Sequence, residues 1–427
     1  MRDAIEIQPS GPLRGSIRPP GSKSITNRAL VCAALAEGES LLAGVLDSED
    51  TQVMIESISR LGIRVDHDRA AQTLRVWGCG AQLPVHQGDL YVANSGTTMR
   101  FLTAMVTLGD GTFRLDGTPR MCERPIQDLL DALGQLGANA RSELGNGCPP
   151  VIVEAAGLPG GRATIAGNIS SQFLSGLLMA VPCARGPVEL RVAGALVSQP
   201  YVRITLAVMR SFGVELLTHD LGEFHTPGRL RYHGCDYAIE PDASAASYFF
   251  AAAAITGGEV TVKGLSAGSI QGDVAFCNCL KAMGCAVDYG PDAITVRGNR
   301  LRGNLSVNMN AISDTVQTLA AVALFADGPI EITGIAHIRH KETDRIHALA
   351  TELRKLGAEV DERPDGLRII PGILHGAKIA TYDDHRMAMS MALVGLAAAG
   401  VVILDPDCTK KTYPGFFEDL TRLRGSG

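Results

Sequence analysis

The sequence predicts an α/β fold of two similar lobes, each built from three copies of one β/α unit whose buried helices lie parallel under covering sheets. Three observations lead there. First, a helix ending in an apolar residue plus Gly recurs as "SRLGIRV", "GQLGANA", "RSFGVEL", "KAMGCAV" and "RKLGAEV", with glycines at 62, 137, 213, 284 and 357. The steps of 75, 76, 71 and 73 residues exceed the periods of about 33 to 47 that mark helical solenoids. Second, six largely apolar helices run in step with that series, each opened by small polar or acidic residues at Ser22, Asn94, Ser170, Asp242, Ser313 and Asp383. Third, the copies are incomplete at the chain's ends, and the incompleteness matches.

Each copy reads in the same order. An apolar helix such as "DASAASYFFAAAAITGGEV" has no polar face and should be surrounded. A strand follows, then an amphipathic helix stopped by the recurrent Gly, whose left-handed conformation closes helices. A strand hairpin ends the copy, as in "AVDYGPDAITVRG", with its turn at Gly290-Pro291-Asp292. The sixth copy stops at "TRLRGSG", with Gly425 as its helix stop, while residues 4 to 18 look like an orphan hairpin. Residues 1–20 are therefore expected to complete a C-terminal lobe with 241–427, leaving 21–240 as the N-terminal lobe.

Composition bounds the function. A chain of 427 residues suits two domains. Its net charge of -6, with no Lys/Arg run, argues against general nucleic-acid binding. The ten cysteines show no zinc spacing, so reduced thiols in a cytoplasm are expected. The N-terminus carries no apolar signal core, and runs such as "FFAAAAI" fall short of the roughly 20 residues of a membrane span.

Helix starts carry the chemistry. Their unpaired N–H groups and partial positive charge favour phosphate and carboxylate, and six equivalent starts could converge on one cleft between lobes. Capping alone explains Ser22, Asn94, Ser170 and Asp242. It does not explain Lys23, Arg28, Arg100 and Arg386 in early turns, because cations belong at helix C-termini. "PPGSKSITNRAL" lacks the glycine spacing of a nucleotide P-loop, so Lys23 awaits a smaller anion. Further basic residues cluster in "PRMCERP", "IRHKETDR" and "DCTKKTYPG". A solvated charged face is the ordinary reading of any one run, but together they suggest two multiply anionic small substrates. Asp314, Glu342, His385 and Lys411 stand among them as potential proton handlers.

These residues resemble a known family. "PGSKSITNRAL", "NSGTTMR", "RMCERPIQDLLDAL", "SSQFLSGLLMA", "SQPYVRITL", "IRHKETDR" and "DDHRMAMSMAL" are similar to motifs of the 5-enolpyruvylshikimate-3-phosphate synthases, along essentially the whole chain. The resemblance implies an inverse α/β barrel in each lobe and a reaction without metal or cofactor. Phosphoenolpyruvate is protonated at C3, the 5-hydroxyl of shikimate 3-phosphate attacks C2, and the adduct loses phosphate as a C3 proton leaves. It further implies that Lys23, Ser24, Arg28, Ser170, Ser171, Gln172, Ser198, Tyr201, Asp314, His337 and Lys341 hold shikimate 3-phosphate. Lys23, Asn94, Gly96, Thr97, Arg124, Gln172, Arg345, Arg386 and Lys411 would hold phosphoenolpyruvate. Asp314 would take the hydroxyl proton, while Glu342 with Lys23 or Lys411 would manage the C3 proton. A cytoplasmic monomer without nucleic-acid or membrane partners is expected.

Three positions depart from the family's commonest pattern. Ala93 stands for Gly, Phe101 for Pro, and His337 for an Asn at the shikimate ring. Phe101, one turn from Gly96, is expected to reposition its helix and alter affinity for glyphosate; equal inhibition of wild type and Phe101→Pro would refute this. The rival readings are the sister enzyme acting on UDP-N-acetylglucosamine, a P-loop kinase, and a non-catalytic scaffold. The sister has a loop Cys in a C-x-x-x-x-R-P setting, whereas Cys122 lies two residues before Arg124. A paralogue acting on a related phosphorylated cyclitol fits the same motifs.

Overall fold

The computed structural model describes residues 3–425, so residues 1, 2, 426 and 427 of the expected C-terminal lobe lie outside it. The chain divides into two compact units. A central unit runs from Gly21 to Ile239, and a terminal unit joins the residues up to Pro20 with those from Glu240 onward.

In the central unit the helices are α1 (Lys23–Leu35), α2 (Glu49–Arg60), α3 (Gly96–Val106), α4 (Gln127–Gln135), α5 (Ser171–Ala180) and α6 (Gln199–Ser211). In the terminal unit they are α7 (Ala243–Thr256), α8 (Phe276–Ala282), α9 (Val316–Ala323), α10 (Arg345–Lys355), α11 (His385–Val394) and α12 (Phe416–Arg424). The odd-numbered helices are the apolar ones. All of α3 and α11 is buried, as is α1 from Ile25 onward. The even-numbered helices bury one stripe; α2 buries Thr51, Met54, Ile55 and Ile58 while Glu56 and Arg60 stay exposed, the spacing of a half-covered helix.

Within each unit the buried helices run side by side in one direction. Asn27 Nδ2 donates to Thr97 Oγ1 at 2.9 Å and Arg28 Nη2 to Ser175 Oγ at 3.3 Å, so early turns of α1, α3 and α5 meet. The terminal unit repeats this with hydroxyls. Thr318 Oγ1 lies 3.0 Å from Ser247 Oγ and 3.4 Å from Ser390 Oγ, joining α9 to α7 and α11. Helix starts therefore gather at one end of each unit.

Among the described residues, a four-stranded sheet covers each of five copies and a three-stranded sheet the sixth. In the second, Gln87–Tyr91 pairs in parallel with Asp110–Asp116, across the α3 crossover. Asp110–Asp116 then pairs antiparallel with Val151–Ala156, and that strand with Asn139–Ser142. The strand that should precede α1 comes from the end of the unit, Asp236–Ala238, parallel to Glu39–Ala43.

The N-terminal segment does not form the hairpin its pattern suggests. Arg14–Ile17 pairs in parallel with Glu259–Lys263, whereas Ala4–Ile7 pairs antiparallel with Val401–Leu404 in a different sheet. Each strand fills the place of one missing from a copy, the fourth and the sixth, and two separate edges offer more pairing than an isolated ribbon. The helix-stop glycines 62, 137, 213, 284 and 357 have φ of 80°, 87°, 82°, 103° and 101°. Gly425 differs: its φ is -80°.

Candidate active site

In the central unit the site is built on the starts of α1, α3, α5 and α6. Ser22 caps α1 by position alone, since its Oγ is buried without a partner. Lys23, in the first turn, lies with Nζ 3.3 Å from Asp50 Oδ2 at the start of α2. Arg28 is 1 % exposed and tied on every side. Its Nε donates to Thr205 Oγ1 at 2.7 Å, Nη1 to Ser24 O at 2.8 Å, and Nη2 to Tyr201 O at 3.2 Å. The Phe101 ring lies below it, 5.1 Å from Cζ to centroid. Burial brings the Arg28 pKa down to about 10, which leaves the guanidinium charged at neutral pH.

A second pair of guanidiniums surrounds the start of α3. Arg124 Nη1 donates to Asn94 O and Oδ1 at 3.1 and 3.2 Å, and Arg100 Nη1 to Gly96 O at 3.2 Å. A Cβ on Gly96 would lie 2.6 Å from Arg124 Nη2 and 2.8 Å from Arg100 Nη1. Glycine thus keeps the helix start open beneath two cations. The capping expectation for Asn94 is corrected: Ser95 is the cap, accepting from Thr98 N at 3.3 Å, and Asn94 instead orients Arg124. Thr97 accepts from Asn27 and belongs to the helix interface. Ser170 Oγ caps α5 by accepting from Gln172 N at 3.2 Å, with buried Ser171 beside it. Ser198 opens α6 in the left-handed region, φ 53°, two residues ahead of Pro200 and three ahead of Tyr201.

In the terminal unit the residues converge on Arg345, the first residue of α10 and 1 % exposed. Its Nε donates to Asp384 Oδ2 at 2.7 Å, its Nη2 to Glu342 Oε2 at 2.8 Å, and its Nη1 to Asp314 Oδ1 at 3.4 Å. The other Asp314 oxygen accepts from Arg386 Nη2 at 2.8 Å. Lys411 Nζ stands 3.7 Å from Glu342 Oε1. Burial opposes the Arg345 charge, but Asp384, Glu342 and Asp314 outweigh it and hold its pKa above the ordinary value. Asp384 is doubly engaged, because it also caps α11 by accepting from Arg386 N at 2.9 Å.

His385 and His337 are both buried here. Burial, then Arg386, push the His385 pKa well down, and neither ring nitrogen has a hydrogen-bond partner among the described residues. His337 is brought down to about 4 by burial and then by Lys341. Both imidazoles are neutral at pH 7. Lys341 is half-buried beside Glu342 in the chain.

Sequence reasoning missed Asp50, Tyr248, Thr205 and Ser175. Asp50 reads as an ordinary acid in a helix's first turn, and nothing in the chain links it to Lys23. Tyr248, whose hydroxyl accepts from Arg386 Nη1 at 3.4 Å, is hidden in an alanine-rich helix. Cys122, by contrast, hydrogen-bonds to Asp116 Oδ1 at 3.5 Å, and burial followed by that carboxylate pushes its pKa up. A thiol held protonated makes a poor nucleophile.

Comparison with known proteins bears directly on this constellation. The family model for EPSP synthase (3-phosphoshikimate 1-carboxyvinyltransferase) matches residues 7–420. A 3-phosphoshikimate 1-carboxyvinyltransferase of Nostoc punctiforme is 46% identical over 416 residues, spanning 97% of this chain and 98% of its own. One of Shewanella oneidensis is 47% identical over 425 residues, 98% and 99% of the two chains. The solved EPSP synthase of Acinetobacter baumannii superposes with a TM-score of 0.81 at 25% identity, covering 99% and 98%. The enolpyruvyl transferase NikO of Streptomyces tendae, at 22% identity and a TM-score of 0.76 over 98% and 97%, shares the fold.

Proposed function

The chain belongs to the EPSP synthase (3-phosphoshikimate 1-carboxyvinyltransferase) family, and from that premise we propose how its residues divide the enolpyruvyl transfer. Arg28, with Ser24, Ser170, Ser171, Gln172, Ser198, Tyr201, His337 and Lys341, holds shikimate 3-phosphate. Lys23, Arg124, Arg345, Arg386 and Lys411 hold phosphoenolpyruvate, with Asn94, Gly96, Thr97 and Gln172 shaping its place. The reaction needs fixed cations where charge develops and a positioned acid/base pair. No cofactor enters this scheme.

The observation that carries the reading is Asp314 held between Arg345 and Arg386. A carboxylate so placed stays ionised, which suits it to accept the 5-hydroxyl proton as that oxygen attacks C2. Glu342 stands between Arg345 and Lys411, where a proton can pass between carboxylate and ammonium and reach C3. The C3 proton is assigned to this pair and not to either group alone. His385, neutral and buried, contributes no charge.

The test is phosphate release on mixing the purified protein with shikimate 3-phosphate and phosphoenolpyruvate. Release that falls by about a hundredfold or more in Asp314→Asn supports the assignment. Release with UDP-N-acetylglucosamine in place of shikimate 3-phosphate would overturn it.

A further inference from the structure

At the opposite end of the central unit, where α1, α3 and α5 finish, lies a cavity of about 530 Å³. Glu37, Cys79, Cys183, Arg185, Arg229 and Arg231 are on its wall. α1 alone is 13 residues long, so about 20 Å of helix separates this cavity from Lys23.

Helix ends ordinarily present carbonyls and partial negative charge. Here backbone N–H groups answer some of the carbonyls at and just past each helix end. Cys79 N and Gly80 N donate to Ala34 O and Ala36 O at 2.9 Å, and Gly157 N donates to Gly109 O at 2.7 Å. Arg229 N and Leu230 N donate to Ala184 O and Pro182 O at 2.8 Å. Burial pushes the Cys183 pKa up to about 12 and raises that of Cys79, so neither thiol adds negative charge at neutral pH. The guanidiniums then set the sign of the cavity, in a chain whose net charge is -6.

Glu37 answers only one of them, through its ion pair with Arg231. Arg185 and Arg229 have no carboxylate partner among the described residues. The Arg185 guanidinium lies flat against Gly157, where a Cβ would come 2.5 Å from Nη2 and 2.7 Å from Nε. Arg229 Nε donates to Arg185 O at 2.9 Å, and among the described residues its two terminal nitrogens have no partner. Its backbone is left-handed, with φ of 54°, a conformation disfavoured for any residue bearing a Cβ and often found where function requires it.

We propose that this cavity binds a small oxyanion carrying two or more negative charges, gripped by Arg185 and Arg229. Two planar forks suit bidentate contact with phosphate-like oxygens, and the volume falls in the range of about 300–1,000 Å³ typical of small-molecule sites. The site does not depend on the assignment of the reacting residues.

Inorganic phosphate is the probe. The full chain is titrated at constant ionic strength while the amide resonances of Gly157, Arg185 and Arg229 are followed by NMR. The same titration is run on an Arg185→Gln/Arg229→Gln double variant, in which two exposed side chains change. The wild type should show saturable shifts at this end, and the double variant should bind there about tenfold or more weakly. Shifts near Lys23 and Arg124 should match in the two proteins. Linear, non-saturating shifts at Gly157, Arg185 and Arg229, or equal affinity in both proteins, would leave only helix-end counter-charges and overturn the proposal.

Discussion

Replacing Phe101 with Leu isolates one contact of Arg28, which the proposed scheme assigns to shikimate 3-phosphate. Both the ring and the Arg28 guanidinium above it are 1 % exposed, and Cζ stands 5.1 Å from the ring centroid. Exposed cation–π pairs contribute about 0.5–1 kcal/mol and desolvated ones about 2. Leu fills part of the same volume but has no quadrupole, so Arg28 loses its support while keeping its bonds to Thr205, Ser175 and Tyr201. The expected rise in KM for shikimate 3-phosphate is therefore about 2- to 30-fold, at about 1.4 kcal/mol per factor of ten. Core stability should fall as well, by about 1–2 kcal/mol, which urea unfolding reads separately. The assay is steady-state kinetics with each substrate varied against saturating amounts of the other. A rise in KM for phosphoenolpyruvate with none for shikimate 3-phosphate would refute the reasoning. It would return Phe101 to the role expected from its sequence position, as a lever on the helix start at Gly96.

Asp50→Asn removes the carboxylate 3.3 Å from Lys23 Nζ. It should lower kcat/KM for phosphoenolpyruvate by about tenfold while the shikimate 3-phosphate KM holds, and unchanged kinetics would count against Asp50 as a positioning residue. Ala93 holds a φ of 48°, so Ala93→Gly should stabilise the protein by about 0.5–1 kcal/mol in chemical denaturation; a loss would show the strain lies elsewhere. His337 titrates at about 4 in the folded chain and near 6.5 unfolded. The unfolded chain thus binds the extra proton first. Stability is untouched above about pH 6.5 and falls progressively as pH drops toward 4, by about 3 kcal/mol at most. His337→Asn should flatten that stretch of the stability curve, and a slope unchanged by the substitution would assign it to other groups.

What the sequence disclosed depended on how local each cause was. The helix-stop glycines were legible because a left-handed residue leaves a direct mark on composition, and five of them set the period. The buried helices were legible because no polar face means no solvent face. Strand partners were not: residues 4 to 17 show strand character, but two separate long-range pairings produce the same alternation as a hairpin. The site was legible as residue types and only partly as roles. Arg28 announced itself as a cation in an early turn, yet its anchors Thr205 and Ser175 lie 177 and 147 residues away. Asn94 and Ser95 are equally good caps by propensity, and only the position of Arg124 decides between them.

The terminal-unit network explains why so costly an arrangement persists. Three cations, Arg345, Arg386 and Lys411, face three carboxylates, Asp314, Glu342 and Asp384, and every one of the six is largely buried. Buried ion pairs of this kind are often no better for stability than apolar packing, so stability alone does not account for them. Their merit is electrostatic position. Without substrate, the carboxylates hold the cations in place and balance their charge. A phosphoenolpyruvate that takes up Arg345 and Arg386 competes with Asp314 for the same guanidiniums. As those bonds weaken, Asp314, the base in the proposed scheme, gives up its cationic partners. Asp384, bound to Arg345 from the other side and fixed as the cap of α11, keeps that guanidinium aligned throughout. In the proposed scheme, substrate binding and release of the base would then be a single electrostatic event.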